Sequence, residues 1–350
     1  MSRMEKRKNK SKILLPIIIV LIIAAVIGIV LITKKDNTNN QSQETTAGTE
    51  NTQSTPAPER EEVQIYSGTE RPIAVMIDNN TNAWPHGGLN DAYMVYEIIV
   101  EGGESRLMAL FKGANLEKIG PVRSSRHYFL DYVMENDALY AHYGCSYIAE
   151  SDIPALGINN INGMVESSTY WRDNTKVAPH NAVTNTEKLL AAANRKGYRT
   201  TSDTDSVLNY TSKEVVLEDG KEAKTITIPY SSYNVVKYTY NEDTKTYTRY
   251  SKGKKQTEWV TGKDITTKNI IITFAKNYTV SGSDVLQELE NKGTLKGYYI
   301  TNGKAIEITC EKADRASQTI YKDLQGNEIK VNDGNTYIEI QPKKMTLTIE

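Results

Sequence analysis

Cysteine is scarce in this chain: Cys145 and Cys310 are the only two in 350 residues, and they lie far apart. An extracytoplasmic domain that leaned on disulfides would carry more, so stability has to come from a packed core. The pair reads either as two unpaired small residues or as one bridge between distant segments. Histidine is sparse as well, with four residues and no cysteine close enough to complete a structural zinc site. Neither C-x-x-C nor H-E-x-x-H occurs. An overall charge of one sign is also missing, the formal net charge being −1. With 39% apolar and 24% charged residues, the composition excludes a polytopic membrane protein, a collagen-like fibre and a wholly disordered chain.

The balanced charge hides an asymmetry. Residues 1–35 hold eight Lys or Arg and one Glu, so they carry +7 against −8 for the remainder. Residues 1–12 form a basic tail, and residues 13–32 are twenty uncharged, almost wholly apolar residues. As a helix that run is about 30 Å long, enough to cross a bilayer core once. It is too long for a cleaved leader and lacks a small-x-small site, so it reads as a signal-anchor. Only Lys34 and Lys35 follow the run closely, so the positive-inside rule keeps the N-terminus cytoplasmic and sends the rest outside. With no cysteine near the end of the run, lipid attachment cannot replace the helix. The basic tail is explained by orientation and anionic lipid, with no need for nucleic acid. Residues 36–62 contain no aromatic or large aliphatic residue and read as a disordered stalk.

Beyond the stalk, strand-like runs alternate with helical patterns over 63–212, which predicts an α/β domain. Ile73–Asp78 and Leu107–Lys112 read as strands, Ala92–Val100 as strand or helix, and Arg123–Asn136 as a helix entered after Pro121. Leu139–Tyr143 is a further strand, and Thr186–Lys196 an amphipathic helix stopped at Gly197. From 213 to 350 the texture changes to short Thr, Tyr, Val and Ile segments between turns, which predicts a β-rich domain, part sandwich or part barrel. The fold class expected is therefore an α/β ectodomain plus a β-rich C-terminal domain, preceded by one transmembrane helix.

Several segments of the first region are unusual together: RPIAVMIDNN (71–80), GLNDAYMVYEIIVEGGESRLMALF (88–111), IGPVRSSRHYF (119–129) and APHNAVT (178–184). They resemble the YerB-like family of bacterial envelope lipoproteins, a two-part domain of unknown function. NEDTKTYTRYSKGK (241–254), NIIITFA (269–275), GYYITNGKAIEITCEK (297–312) and QGNEIKVNDGNTYIEIQP (325–342) extend the resemblance over nearly all of 63–350. It implies a cell-envelope location and two domains, and brings no reaction. Family members often carry a lipid-attachment cysteine where this chain has its apolar run, and Cys310 stands where the family tends to show Trp. In layout, GESRLMALF (103–111) and KIGPVRSSR (118–126) are also similar to LytR-CpsA-Psr phosphotransferases. Those enzymes follow the first arginine with a Thr-Asp pair for metal and pyrophosphate. Here Leu107–Met108 follows Arg106, so only the anion-binding half carries over.

The densest polar constellation holds Arg106, Arg123, Ser124, Arg126 and His127, with Glu97 and Glu101 nearby in sequence. Guanidinium forks beside a helix start suit phosphate or carboxylate. Alternatively, the arginines pair with Glu97 and Glu101 inside the domain. Asp78 and Asn79 end the first strand, where α/β folds place ligands. His142 and His180 could form a general acid/base pair with Asp78, although neither has metal-motif spacing. No cofactor or metal is expected.

The reading is a membrane-anchored envelope protein that binds or scaffolds, with a cell-wall component or another envelope protein as partner. The alternative is a wall-associated transferase or hydrolase acting on phosphate-linked glycopolymer precursors. A solute receptor fits less well, because the two halves differ. Topology is directly testable: a reporter fused after Glu350 is expected to be active outside the cytoplasm, and cytoplasmic activity would reverse the orientation.

Overall fold

The computed structural model describes residues 62–350. The basic tail, the expected transmembrane helix and all but the last residue of the stalk lie outside the described residues. Among the described residues, no helix is long and apolar enough to cross a membrane.

The principal strands are β1 (Ile73–Asp78), β2 (Met94–Ile99), β3 (Ser105–Phe111), β4 (Leu139–His142), β5 (Asn160–Asn162), β6 (Thr225–Pro229) and β7 (Val235–Asn241). They continue as β8 (Thr246–Ser251), β9 (Asn269–Thr279), β10 (Gln287–Glu290), β11 (Gly293–Thr301), β12 (Lys304–Lys312), β13 (Ile320–Asp323) and β14 (Thr336–Pro342). Among the described residues there are three α-helices, α1 (Phe129–Glu135), α2 (Tyr147–Ala155) and α3 (Thr186–Arg195), all before residue 200. The chain is thus strand-rich with few helices.

The main sheet runs β13-β12-β11-β9-β14-β2-β3-β1-β4-β5. It is mixed: β1, β4 and β5 run parallel, and so do β9, β14 and β2, whereas β1–β3 and β2–β3 are antiparallel. Ala92–Val100, ambiguous in sequence, becomes strand because Gly102 and Gly103 supply the left-handed turn (φ 65° and 76°) that folds β2 back on β3. The change of texture near residue 213 does not interrupt the sheet. β14, from the C-terminal half, lies between β9 and β2, and the described residues form one compact unit.

Strand alternation divides the apolar residues into two cores. On one face, Ile73, Val75, Ile77, Val95, Leu107, Ile270 and Ile272 pack with Ile226, Ile228, Val236 and Tyr238 of a six-stranded second sheet built around β6, β7 and β8. On the other, Ala74, Met76, Tyr96, Met108 and Ile338 pack with Phe129, Leu130 and Val133 of α1. Covered on both faces, the central strands carry near-continuous apolar runs. Both cysteines are free; Cys310 is buried and its sulfur accepts from Thr273 Oγ1 at 3.2 Å.

The helix expected over 123–136 starts six residues late, at Phe129, and its N-cap Tyr128 makes no side-chain cap. Backbone bonding prevents an earlier start. Arg123 N donates to Met76 O and Ser125 N to Gly144 O, holding 123–125 extended between β1 and the chain after β4. Arg123, Ser124 and Arg126 therefore do not sit at a helix N-terminus, and the serines cap nothing.

Between the two sheets lies a fully buried ionic cluster. Glu97 of β2 and Glu339 of β14 are register neighbours, and both are completely buried. Arg249 of β8 reaches across from the second sheet to Glu97 Oε2 at 2.5 Å. Tyr238 donates to Glu339 Oε1 at 2.5 Å, and Tyr230 Oη lies 2.6 Å from Glu339 Oε2 and 2.9 Å from Glu97 O. One phenolic proton cannot serve both of those acceptors. A protonated Glu339 resolves the conflict: its O–H donates to Tyr230, whose own proton goes to Glu97 O. Burial, then the nearby Glu97 charge, raises Glu339 to about 8.

A carboxyl that holds its proton more tightly folded than unfolded binds extra protons in the native state between its two pKa values. Stability from this group therefore falls as pH rises from about 4.5 to about 8. Glu339→Gln, which keeps the shape and stays neutral, should flatten the wild-type decline in melting temperature across that window. Parallel profiles for the two proteins would assign the proton elsewhere.

Candidate functional site

β1 changes neighbour along its length. β4 pairs with Ile73–Val75, after which the segment from Pro121 takes over, through Asp78 N to Pro121 O and an Ile77–Val122 bridge. This change of partner falls at the C-terminal ends of two parallel strands, where α/β sheets commonly hold ligands. Asp78, the last residue of β1, organises this end. Its Oδ1 accepts Asn80 N at 3.1 Å and fixes the turn after the strand. Its Oδ2 lies 2.8 Å from His180 Nδ1 and 3.5 Å from Arg123 Nε.

Asp78 is buried, whereas the Arg123 side chain keeps 28% of its surface. Among the described residues, Arg123's two terminal nitrogens have no acceptor, and the second ring nitrogen of His180 is likewise unengaged. Asp78 thus restrains a guanidinium and an imidazole by one edge each and leaves their other edges free.

The loops around this point are held from behind. His86 is buried and its Nε2 donates to Asp78 O at 2.8 Å; burial lowers it to about 3, so it is neutral. Lys176 donates to Ala83 O at 2.8 Å and Pro85 O at 3.0 Å and lies 4.0 Å over the Trp259 ring. Burial lowers Lys176 to about 8. Lys176 and Trp259 escape a sequence reading, since neither lies in a motif and they meet only in three dimensions.

The other expected site residues scatter. Arg126 clasps Glu101 with two bonds, Nε to Oε1 at 2.5 Å and Nη2 to Oε2 at 2.7 Å. Arg106 donates to Ser124 O at 2.6 Å and lies 4.0 Å from the same Glu101. Burial would raise the Glu101 carboxyl, but the bonds and charge of Arg126 hold it below the usual range. Glu97 faces Arg249 instead of the candidate arginines, and Asn79 donates to Glu97 Oε1 at 3.0 Å and Ser105 Oγ at 2.9 Å. His142 is buried, with Nδ1 donating to Gly144 O at 2.8 Å; burial lowers it to about 4. His127 faces another cleft of about 510 Å³, where its Nε2 is 3.0 Å from Glu288 and where Arg315 bridges Asp131 and Asp152. Among the described residues, no three His, Cys, Asp or Glu side chains gather as a metal site.

The fold is thus a mixed central sheet covered by a second sheet, with Asp78 holding a guanidinium and an imidazole where β1 changes partner. The sequence matches the N-terminal domain of a protein family of unknown function, DUF3048, over residues 57–199, and its C-terminal domain over 226–338. The chain belongs to this YerB-like family. It is 30% identical over 283 residues to the Bacillus subtilis (strain 168) protein named "Putative lipoprotein YerB", covering 80% of this chain and 81% of that protein. The crystal structure of YerB protein from Bacillus subtilis superimposes with a TM-score of 0.73 at 28% identity, covering 81% of this chain and 94% of the crystallised one.

The Arg126–Glu101 clasp is partly buried, so Arg126→Ala should cost roughly 2 kcal/mol, below the 3–5 kcal/mol of a fully buried pair. Urea unfolding would read this as a lower midpoint at unchanged slope. A midpoint equal to wild type would show that the clasp contributes nothing to stability.

Proposed function

We propose that this chain is a membrane-anchored extracytoplasmic envelope protein that binds, through Arg123 and His180, an anionic group on a cell-wall component or envelope partner. One observation carries the reading: a single buried carboxylate, Asp78, fixes both the guanidinium and the imidazole and leaves their outer nitrogens without acceptors among the described residues. A guanidinium fork held at Nε is suited to a tetrahedral or planar oxyanion, because its two terminal N–H groups are already aligned. Ser124, next in sequence, adds a hydroxyl with no partner among the described residues. The envelope location rests on the lipoprotein name of the Bacillus subtilis relative and on the charge bias around residues 13–32.

A second reading has one observation in its favour. An imidazole oriented by a carboxylate, with its other nitrogen open, is also how a general base is held. It supports the transferase or hydrolase alternative on phosphate-linked glycopolymer precursors, in which Arg123 would hold the phosphate.

Titration of residues 62–350 with glycerol phosphate, followed by histidine ring NMR, tests the site. His180 signals should move in the wild type, and Arg123→Gln should weaken binding about ten- to a hundredfold while melting close to wild type. No response of His180 in the wild type would end the anion site. Release of phosphate from a wall-polymer fragment would move the reading to the enzyme.

A further inference from the structure

A groove of about 520 Å³ runs between β9, β11 and the C-terminal segment 343–349. That volume lies within the roughly 300–1,000 Å³ typical of small-molecule sites. Phe274 and Tyr298 form its floor, their rings 6.1 Å apart and edge to face. Met345, Leu347 and Ile349, alternate residues of the last strand-like segment, form its wall. All five side chains are only half-buried, so the fold leaves a continuous apolar surface uncovered here.

The rim has one sign of charge. Lys221, Lys296 and Lys343 line the groove and no acidic side chain does, in a chain with 43 Asp and Glu. Elsewhere on these sheets lysines find carboxylates, as in Lys224–Glu242, Lys276–Glu290, Lys304–Glu222 and Lys322–Glu311. Among the described residues, the three rim lysines meet none. Lys221 instead stands 4.4 Å over the Tyr298 ring, whose hydroxyl donates away from the groove to Glu307 at 3.1 Å.

We propose that this groove binds an anionic amphiphile with a single acyl chain, its tail along the apolar wall and its head group among the three lysines. The charge pattern selects this occupant. A second copy of the chain docked two-fold would bring the lysine rims together, and like charges disfavour that interface. A bilayer surface would need the apolar residues to protrude, whereas here they line a concavity. The site is separate from the Arg123–His180 pair and does not depend on it.

The test uses residues 62–350, which contain both cores and match the stretch crystallised in the relative. Calorimetry would compare submicellar sodium dodecanoate with dodecyl maltoside, which has the same tail and a neutral head. Dodecanoate should bind one per chain, at least about tenfold tighter than the maltoside. Replacing Lys221, Lys296 and Lys343 together by Gln should erase that preference, and Leu347→Asp should abolish both. In the wild type, the methyl signals of Leu347 and Ile349 should shift on addition of dodecanoate, a readout independent of any variant. Equal affinity for the two amphiphiles, unmoved methyl signals, or adsorption to phosphatidylglycerol vesicles without binding of monomeric dodecanoate would each overturn the proposal. So would a concentration-dependent dimer that buries the groove.

Discussion

One guanidinium holds the two sheets in register. Arg249 enters from the second sheet and ends on Glu97 in the middle of the main sheet, both with no exposed surface. Desolvation opposes the Arg249 charge, and Glu97 more than restores it. An ionised carboxylate in this dry layer without such a partner would cost several kcal/mol. Glu97 is therefore tied to Arg249, and so β2 to β8. Glu339 sits beside Glu97 with no second cation available. It meets the same constraint by keeping a proton and accepting from Tyr238. The spacing between the sheets is set by this network, in which Arg249 bonds through Nη2 while its buried Nε and Nη1 have no partner among the described residues.

The network also explains why a chain with two family domains folds around one sheet. Glu97 belongs to the first domain and Arg249 and Tyr230 to the second, with Glu339 directly after its last matched residue. Pulling the halves apart would expose the apolar faces of β2 and β14 and strand both carboxylates. Asn234 of the second domain, donating to Ser105 Oγ of the first at 3.1 Å, ties the same layer again.

Strands were the legible part of the sequence. β6 begins and ends where the Thr–Ile alternation does, and β1, β4 and α3 lie within a residue of their expected limits. Those signals are local, set by alternation and by stops such as Gly197. The late start of α1 was not legible, because it depends on Met76 and Gly144 carbonyls distant in sequence. Nor was the choice of arginine partners. Glu97 and Glu101 are equivalent candidates when read along the chain, but β-strand alternation points Glu97 into the layer that Arg249 enters and leaves Glu101 at the turn, where Arg126 reaches it. Of the two histidines read as acid/base partners for Asp78, His180 meets it across 102 residues of sequence, whereas His142 bonds to Gly144 O.

Carboxylate supply then decides which cations remain available. Glu101 takes two bonds from Arg126 and lies near Arg106, whose remaining reach goes to a carbonyl. Glu97 takes Arg249. Asp78 spends one oxygen on its own turn and divides the other between Arg123 and His180, so neither is neutralised by a carboxylate of its own. Of Arg106, Arg123 and Arg126, grouped together by sequence density, Arg123 is the one that shares its carboxylate with a second side chain. Its Nε faces Asp78, and its terminal nitrogens have no acceptor among the described residues. A cation restrained on one side and unpaired on the other loses little freedom when an anion arrives. The same accounting at the groove beside β9 and β11 leaves Lys221, Lys296 and Lys343 without a carboxylate partner among the described residues.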